Sequence, residues 1–381
     1  MKKLGFGTMR LPVLDPKDPT SIDYEQVKRM ADLFLQKGFT YVDTAWMYHN
    51  GMSENAVKVA FSDRYPRESF FLADKMPVAM MKAKEEYPVY FQTQLERCGV
   101  DYFDNYLIHN IFQEDIDFVE RTDCFGFLRQ MKEEGKIRHI GFSFHDGPEL
   151  LERLLSDHPE VEFVQIQLNY IDWDNGAIQS RANYEVCRKH GVGVVVMEPV
   201  KGGSLVRLPR EVEDLYRSIH PDMSMASWAV RFAASQEGVD MVLSGMSEMA
   251  HMEDNLSYME DFRPLDAREA EAIRQSIGII NDRILIPCTG CHYCVNHGDG
   301  CPMNISIPEY FAICNDLKAF GGGWAGKAMY RNLRSAGNGQ PADCIGCGQC
   351  EYHCPQHIPI IDWLRKIQGI EAWRTKGQFT L

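Results

Sequence analysis

No apolar run in this chain of 381 residues approaches the roughly 20 residues that a membrane-crossing helix needs, so no membrane partner is expected. The opening residues, Met1-Lys2-Lys3-Leu4-Gly5-Phe6-Gly7, lack the long apolar core of a secretory signal, and a cytoplasmic location is expected. Positive charge is in short supply: 40 Lys and Arg stand against 54 Asp and Glu, a formal net charge of −14. Nucleic-acid binding needs basic surface to neutralise phosphates, so no nucleic-acid partner is expected either. No G-x-G-x-x-G follows the first apolar run, and a doubly wound nucleotide-binding sheet therefore lacks its usual fingerprint. Low-complexity segments are absent, and so are sequence repeats other than two cysteine groups near the C-terminus.

What remains is an ordinary globular balance, 45 % hydrophobic and 25 % charged. Up to about residue 260, β-like apolar runs alternate with amphipathic helical segments, which argues for a parallel α/β architecture. The runs predict strands at 4–8, 39–43, 70–74, 104–108, 137–141, 162–166, 192–197 and 239–244. Val192-Gly193-Val194-Val195-Val196-Met197 has the continuous apolar character of a strand buried on both faces. Eight strand–helix units fit a (β/α)8 TIM barrel, whose active site lies at the C-terminal ends of its strands.

Three of the predicted strands end in groups able to move protons. Tyr41-Val42-Asp43 runs into a turn that delivers Tyr48, Phe70 to Asp74 is followed by Lys75, and Asn105 to Ile108 by His109. A phenol is a weak acid at neutral pH, and a nearby ammonium favours its ionised form. Lys75 can supply that charge, Asp43 can hold Lys75, and His109 can hydrogen-bond a substrate oxygen. Singly each has a blander reading, as a turn aromatic, a solvated strand end or a structural histidine. Together, in order on consecutive strands, they form a constellation for general acid–base chemistry.

With these four residues the sequence resembles the aldo/keto reductases, a (β/α)8 family with a nicotinamide cofactor and a catalytic Asp-Tyr-Lys-His set. The likeness covers roughly residues 1–260 and extends through Gly51-Met52-Ser53-Glu54 and through Glu134 to Ser143. It implies cofactor contacts from Ser143, from Gln165 at the nicotinamide carboxamide, and from Met197. Pro199, Lys201 and Gly202 fall where the family's loop covers the pyrophosphate. Gly245, Ser247, Asp254 and Asn255 fall where it binds adenosine. Phe144 stands where the family often has Asn, and Met197 where an aromatic ring commonly stacks. Glu248 and His251 take the place of the basic residues that grip the 2′-phosphate of NADP, so weak discrimination between NADH and NADPH is expected.

Eight of the twelve cysteines form two groups, over residues 288–301 and 344–354. Cys288, Cys291 and Cys294 stand at x2 spacing, followed after x6 by Cys301-Pro302. Cys344, Cys347 and Cys350 repeat the spacing, followed after x3 by Cys354-Pro355. Tandem triples closed by Cys-Pro are the run of bacterial ferredoxins with two [4Fe–4S] clusters. One short loop can wrap three corners of a cubane, and the remote cysteine of the other group reaches the fourth. The resemblance thus implies one cluster on Cys288, Cys291, Cys294 and Cys354, and another on Cys344, Cys347, Cys350 and Cys301. Zinc favours paired knuckles, and disulfides suit an oxidising compartment; both are weaker alternatives. Cys98, Cys124, Cys187 and Cys314 read as unremarkable buried thiols.

The division expected is a barrel over 1–282 and a small, mainly α-helical ferredoxin-like domain over 283–381. Helices are predicted from Pro308 through Lys318, over 327–334 beyond a break at Gly321-Gly322-Gly323, and over 361–370. The expected function is reduction of a small carbonyl, or oxidation of an alcohol, with NAD(P)H at the barrel mouth. The clusters would serve structure or electron exchange with a redox partner protein. Nicotinamide moves two electrons as hydride whereas a cluster moves one, so direct coupling would need a flavin-like intermediary. An FMN-dependent reductase fed through the clusters is one alternative, although no flavin motif is apparent. A non-catalytic nicotinamide or redox sensor is the other.

Overall fold

Eight parallel strands close on themselves in chain order in a computed structural model of the chain: β1 Leu4–Gly7, β2 Tyr41–Asp43, β3 Phe71–Met76, β4 Phe103–Ile111, β5 Ile137–Phe144, β6 Phe163–Gln167, β7 Gly193–Met197 and β8 Val239–Gly245. β8 pairs with β1 through Leu4↔Val242 and Gly7↔Gly245, which completes the barrel. The structure describes all residues except 177, 283–284, 297, 299, 321–332, 334–336 and 369–381. The Gly321–Gly323 break, nearly all of the expected 327–334 helix and the end of the 361–370 helix lie outside the described residues.

Two faces of each strand do different work, because side chains alternate across a strand. Outward residues such as Phe6, Leu72, Tyr106, Phe142, Val164 and Val242 pack with the surrounding helices in one large core. Helix Tyr24–Gln36 contributes Val27, Met30 and Phe34 to it, and Asp23 caps its start by accepting from the Gln26 N–H. Inward residues Tyr41, Ala73, Leu107, Phe163, Val195, Met241 and Leu243 fill the barrel interior as a separate buried cluster. Gly141 belongs to this layer: a Cβ there would meet the Phe163 ring at 2.5 Å, so only glycine leaves the ring its place.

The interior plug sets where chemistry can begin. Two residues after Tyr41, Ala73, Leu107, Gly141, Phe163, Val195 and Leu243, on the same face, come Asp43, Lys75, His109, Ser143, Gln165, Met197 and Gly245.

The chain falls into two compact units, Met1–Val200 with Met223–Ala270, and Lys201–Asp222 with Glu271–Leu381. The first holds the barrel. The second has its own core of Ile286, Ile305, Ile307, Tyr310, Phe311, Ile358, Ile360 and Leu364, closed around Cys294, Cys350 and Cys354. Its helices include Ile307–Phe320 and Ile360–Ile367. Pro308 stands at the start of the first of these, where the missing N–H costs no hydrogen bond. Lys201–Asp222, which follows β7 closely in the chain, belongs to this second unit: Tyr216 and Ser276 share a buried hydroxyl–hydroxyl hydrogen bond of 2.7 Å.

Candidate functional site

β2, β3 and β4 bring the four proton-transfer candidates together. Asp43 ends β2; Lys75 and His109 lie within β3 and β4, both of which run past their predicted ends. The ladder continues because Lys75 and Met76 still pair with Leu107 and Ile108, whatever their side chains do. Tyr48 opens a short 3-10 turn in which His49 and Asn50 take left-handed backbone angles, both with φ 52°.

Lys75 is fully buried, and its Nζ donates to Asp43 Oδ1 and to the Thr44 carbonyl, each at 2.6 Å. The same ammonium stands 5.0 Å from the centre of the Tyr48 ring. The Tyr48 and His109 rings meet edge to face at 6.2 Å between centres. Burial holds the Asp43 carboxyl above its ordinary value, against the opposing pull of Lys75. A buried ammonium, a carboxylate, a phenol and an imidazole therefore share one end of the barrel.

Residues that support these four carry little local signal. Thr8 donates to the Asp43 carbonyl at 2.8 Å, and the Ser53 hydroxyl bonds with those of Thr8 and Thr44 at 2.7 and 2.9 Å. On the other face of β3, Gln94 Nε2 donates to the Lys75 carbonyl and to Glu54 Oε1, both at 3.0 Å, and Tyr106 donates to Gln94. Arg97 bonds Glu54 and lays its guanidinium over Trp46, in the turn that leads to Tyr48. Asp74, fully buried beside Glu54, has its carboxyl pushed well up, by burial first and by Glu54 second. Ser53 and Glu54, both in the Gly51-Met52-Ser53-Glu54 stretch, carry the sequence signal in this network.

Among the cofactor candidates, Ser143 accepts from the Asn110 N–H at 2.6 Å, and Gln165 Nε2 lies 3.6 Å from the Met197 sulfur. The Gln165 Oε1 atom is buried and has no partner. That orphaned acceptor fits the N–H2 of a nicotinamide carboxamide, so the residues present suit the cofactor that the resemblance implies. Asn255 instead spends its amide internally, donating to Ser244 and accepting from Tyr258. Asp254 accepts from Ser224. The Arg10 stem packs at 3.3–3.4 Å from where a Cβ of Gly245 would sit, a basic side chain that the sequence around Ser247 does not reveal. Glu198, between Met197 and Pro199, takes a left-handed φ of 54°. Lys201 and Gly202 belong to the second unit.

In that unit the cysteines gather across the two sequence groups. Cys288, Cys291, Cys294 and Cys354 line one cavity, and Cys301, Cys344, Cys347 and Cys350 line another. None of the twelve cysteines is in a disulfide. Burial and the nearby Cys291, Cys288 and Cys354 push the Cys294 thiol up. Burial, with Glu351 and the Cys344, Cys347 and Cys301 sulfurs, pushes Cys350 up to about 12. Four thiols around a largely apolar cavity, twice over, are the donor set a four-iron cluster requires. Cys98, Cys124, Cys187 and Cys314 are buried and line neither cavity.

The profile of the aldo/keto reductase family matches residues 3–277, and that of a 4Fe-4S dicluster domain matches residues 287–358. An uncharacterized oxidoreductase of Schizosaccharomyces pombe is 25 % identical over 67 % of this chain and 81 % of its own length. An aldo-keto reductase of Mycolicibacterium smegmatis is 32 % identical, over 49 % of this chain and 63 % of its own. The solved structure of an aldo-keto reductase from Bacillus halodurans, in its holo form, superposes with a TM-score of 0.59 at 26 % identity, covering 72 % of this chain and 91 % of that one. The chain is an oxidoreductase that belongs to the aldo/keto reductase family, with a 4Fe-4S ferredoxin domain following its barrel.

Proposed function

We propose that the barrel reduces a small carbonyl compound, or oxidises the corresponding alcohol, with a nicotinamide cofactor. The observation that carries this reading is the Lys75 ammonium, held by Asp43 and poised over the Tyr48 ring. Bound nicotinamide supplies a hydride for the carbonyl carbon. Tyr48 gives its phenolic proton to the carbonyl oxygen, and the reaction balances as hydride plus proton. Lys75 stabilises the phenolate that forms, Asp43 keeps Lys75 charged and in place, and His109 hydrogen-bonds the substrate oxygen. Such positioned acid catalysis contributes about 10²–10⁴ in rate.

Gln165 would hold the carboxamide through its unpartnered Oε1, with Ser143 and Met197 beside it. Pro199, Gly245 and Ser247 would flank the rest of the dinucleotide. The flavin alternative gains no support from the comparisons, and family membership favours nicotinamide. The intact tetrad argues for an enzyme over a sensor.

We propose two [4Fe–4S] clusters, crossed between the sequence groups as the cavities group their thiols. The barrel over 1–282 and the ferredoxin-like domain over 283–381 remain our division by function. The hydride reaction needs no electron from the clusters, which serve structure or exchange with a redox partner. Steady-state turnover of a carbonyl panel tests the barrel reading. Tyr48→Phe should lower kcat by about 10²-fold or more with cofactor affinity nearly intact; near-wild-type kcat would remove Tyr48 from its role.

A further inference from the structure

Lys201 is 2 % exposed, and its Nζ donates to Gln356 Oε1 at 3.0 Å. Gln356 is itself 5 % exposed, follows Cys354-Pro355, and lines the cavity formed by Cys288, Cys291, Cys294 and Cys354. The neighbouring Gly202, at φ +63°, lies so close to Thr289 that a Cβ would collide with the Thr289 carbonyl oxygen. Thr289 sits between Cys288 and Cys291 and lines the same cavity. Two consecutive residues thus press on both arms of one cysteine cavity, the Cys288–Cys291 loop and the Cys354–Gln356 turn.

The other cavity is built differently. Among the described residues no lysine, arginine or histidine lines it, Cys347 is exposed, and Ile345 beside it is 64 % exposed. The Arg365 guanidinium near Gly346 of that loop belongs to a side chain 65 % exposed and paired with Asp362 at 3.4 Å. Solvent and salt screen such a charge, whereas a buried ammonium is screened far less.

We propose that Lys201 sets the reduction potential of the cluster held by Cys288, Cys291, Cys294 and Cys354, raising it above that of the cluster held by Cys301, Cys344, Cys347 and Cys350. Accepting one electron adds one negative charge to a site already ringed by four thiolates. Net charge, hydrogen bonding and exposure are what set such potentials. A fixed cation in a poorly screened interior stabilises the reduced form, and Gln356 anchors that cation at the cavity wall. Lys201 acts as a tuning residue and holds no ligand position. The inference rests on the two-cluster reading above and is independent of any nicotinamide reaction.

The test is an anaerobic redox titration of the full chain followed by paramagnetic resonance, with the two signals assigned by Cys291→Ser and Cys347→Ser. In Lys201→Gln, the reduced-to-oxidised ratio of the first cluster at fixed potential should fall at least tenfold, about 59 mV for one electron. The second cluster should not move, and Lys201→Arg should stay within about threefold of wild type. No shift, or an equal shift of both clusters, overturns the proposal. Should Lys201→Gln fail to fold, Gln356→Leu removes the anchor at the cavity wall and should lower the same potential by a smaller step; an unchanged value there is equally fatal. Iron and sulfide for fewer than two clusters in the wild-type chain would instead refute the two-cluster reading.

Discussion

Lys75 Nζ lies 2.6 Å from Asp43 Oδ1, with both side chains sealed from water. Each residue makes the other tolerable in the barrel interior, since an unpaired buried charge is far costlier than a pair. Asp43→Ala should therefore destabilise the barrel by about 3–5 kcal/mol, by stranding the ammonium. Replacing both residues with apolar ones of similar volume should recover much of that loss while leaving turnover abolished. Urea denaturation of the single and double variants measures the difference. A double variant no more stable than Asp43→Ala would contradict the pairing argument.

Asp74 and Glu54 predict a pH effect. Burial and the neighbouring Glu54 raise the Asp74 carboxyl well above its ordinary 3.8. An acid raised in the folded state favours folding while protonated. Its contribution is complete below the unfolded value, near 4, and is lost as pH rises through the folded one. Asp74→Asn keeps the acceptor for the Lys75 N–H and cannot ionise, so it should flatten this decline. The variant's stability relative to wild type should rise with pH by up to about 1.4 kcal/mol per unit above pH 4. Parallel stability–pH curves for the two proteins would show that Asp74 does not titrate in this way.

Crossed ligation yields a prediction about a single sulfur. Cys354 lines the cavity of Cys288, Cys291 and Cys294, and not that of its sequence neighbours Cys344, Cys347 and Cys350. Cys354→Ser should damage the first cluster and spare the second, read as loss of one of two paramagnetic signals with about half the labile iron retained. Damage confined to the other signal would point to uncrossed ligation. Zinc in place of iron and sulfide would overturn the assignment of both cavities.

Much of this arrangement was legible in the chain because it depends on short spacings. Asp43, Lys75 and His109 announce themselves at the ends of apolar runs, and the period of two then carries each inward beside the plug residue before it. The strand ends were placed short at Asp74 and Ile108, because polar side chains look like terminators although their backbones go on pairing. The cysteine triples were equally plain. What stayed hidden are contacts between residues distant in sequence: Lys201 with Gln356, 155 positions apart, and Arg10 with Gly245. A buried amide and a buried lysine have no local pattern that reveals a partner so far along the chain. Lys201 falls where the family's loop covers the pyrophosphate, and tertiary packing places it in the second unit.

Arg10 bears on cofactor choice. The region around Ser247 offers Glu248 and His251 where a basic fork would grip a 2′-phosphate, which predicts weak discrimination between NADH and NADPH. Fluorescence titration should give dissociation constants within about tenfold of each other, or about 1.4 kcal/mol. Where Arg10 supplies charge to that region, Arg10→Ala should weaken NADPH more than NADH. Equal weakening would confine Arg10 to packing against Gly245, and no binding of either form would reject the nicotinamide pocket.

The central claim, hydride transfer in the barrel with Tyr48 as proton donor, is tested most directly by isotope transfer. Anaerobic protein would be incubated with reduced nicotinamide deuterated at C4 and a panel of small aldehydes and ketones, and the products analysed by mass spectrometry. The account predicts one deuterium on the carbinol carbon of at least one product, with Tyr48→Phe forming it about 10²-fold more slowly or worse. Alcohol produced without deuterium, or formed equally fast by Tyr48→Phe, would contradict it.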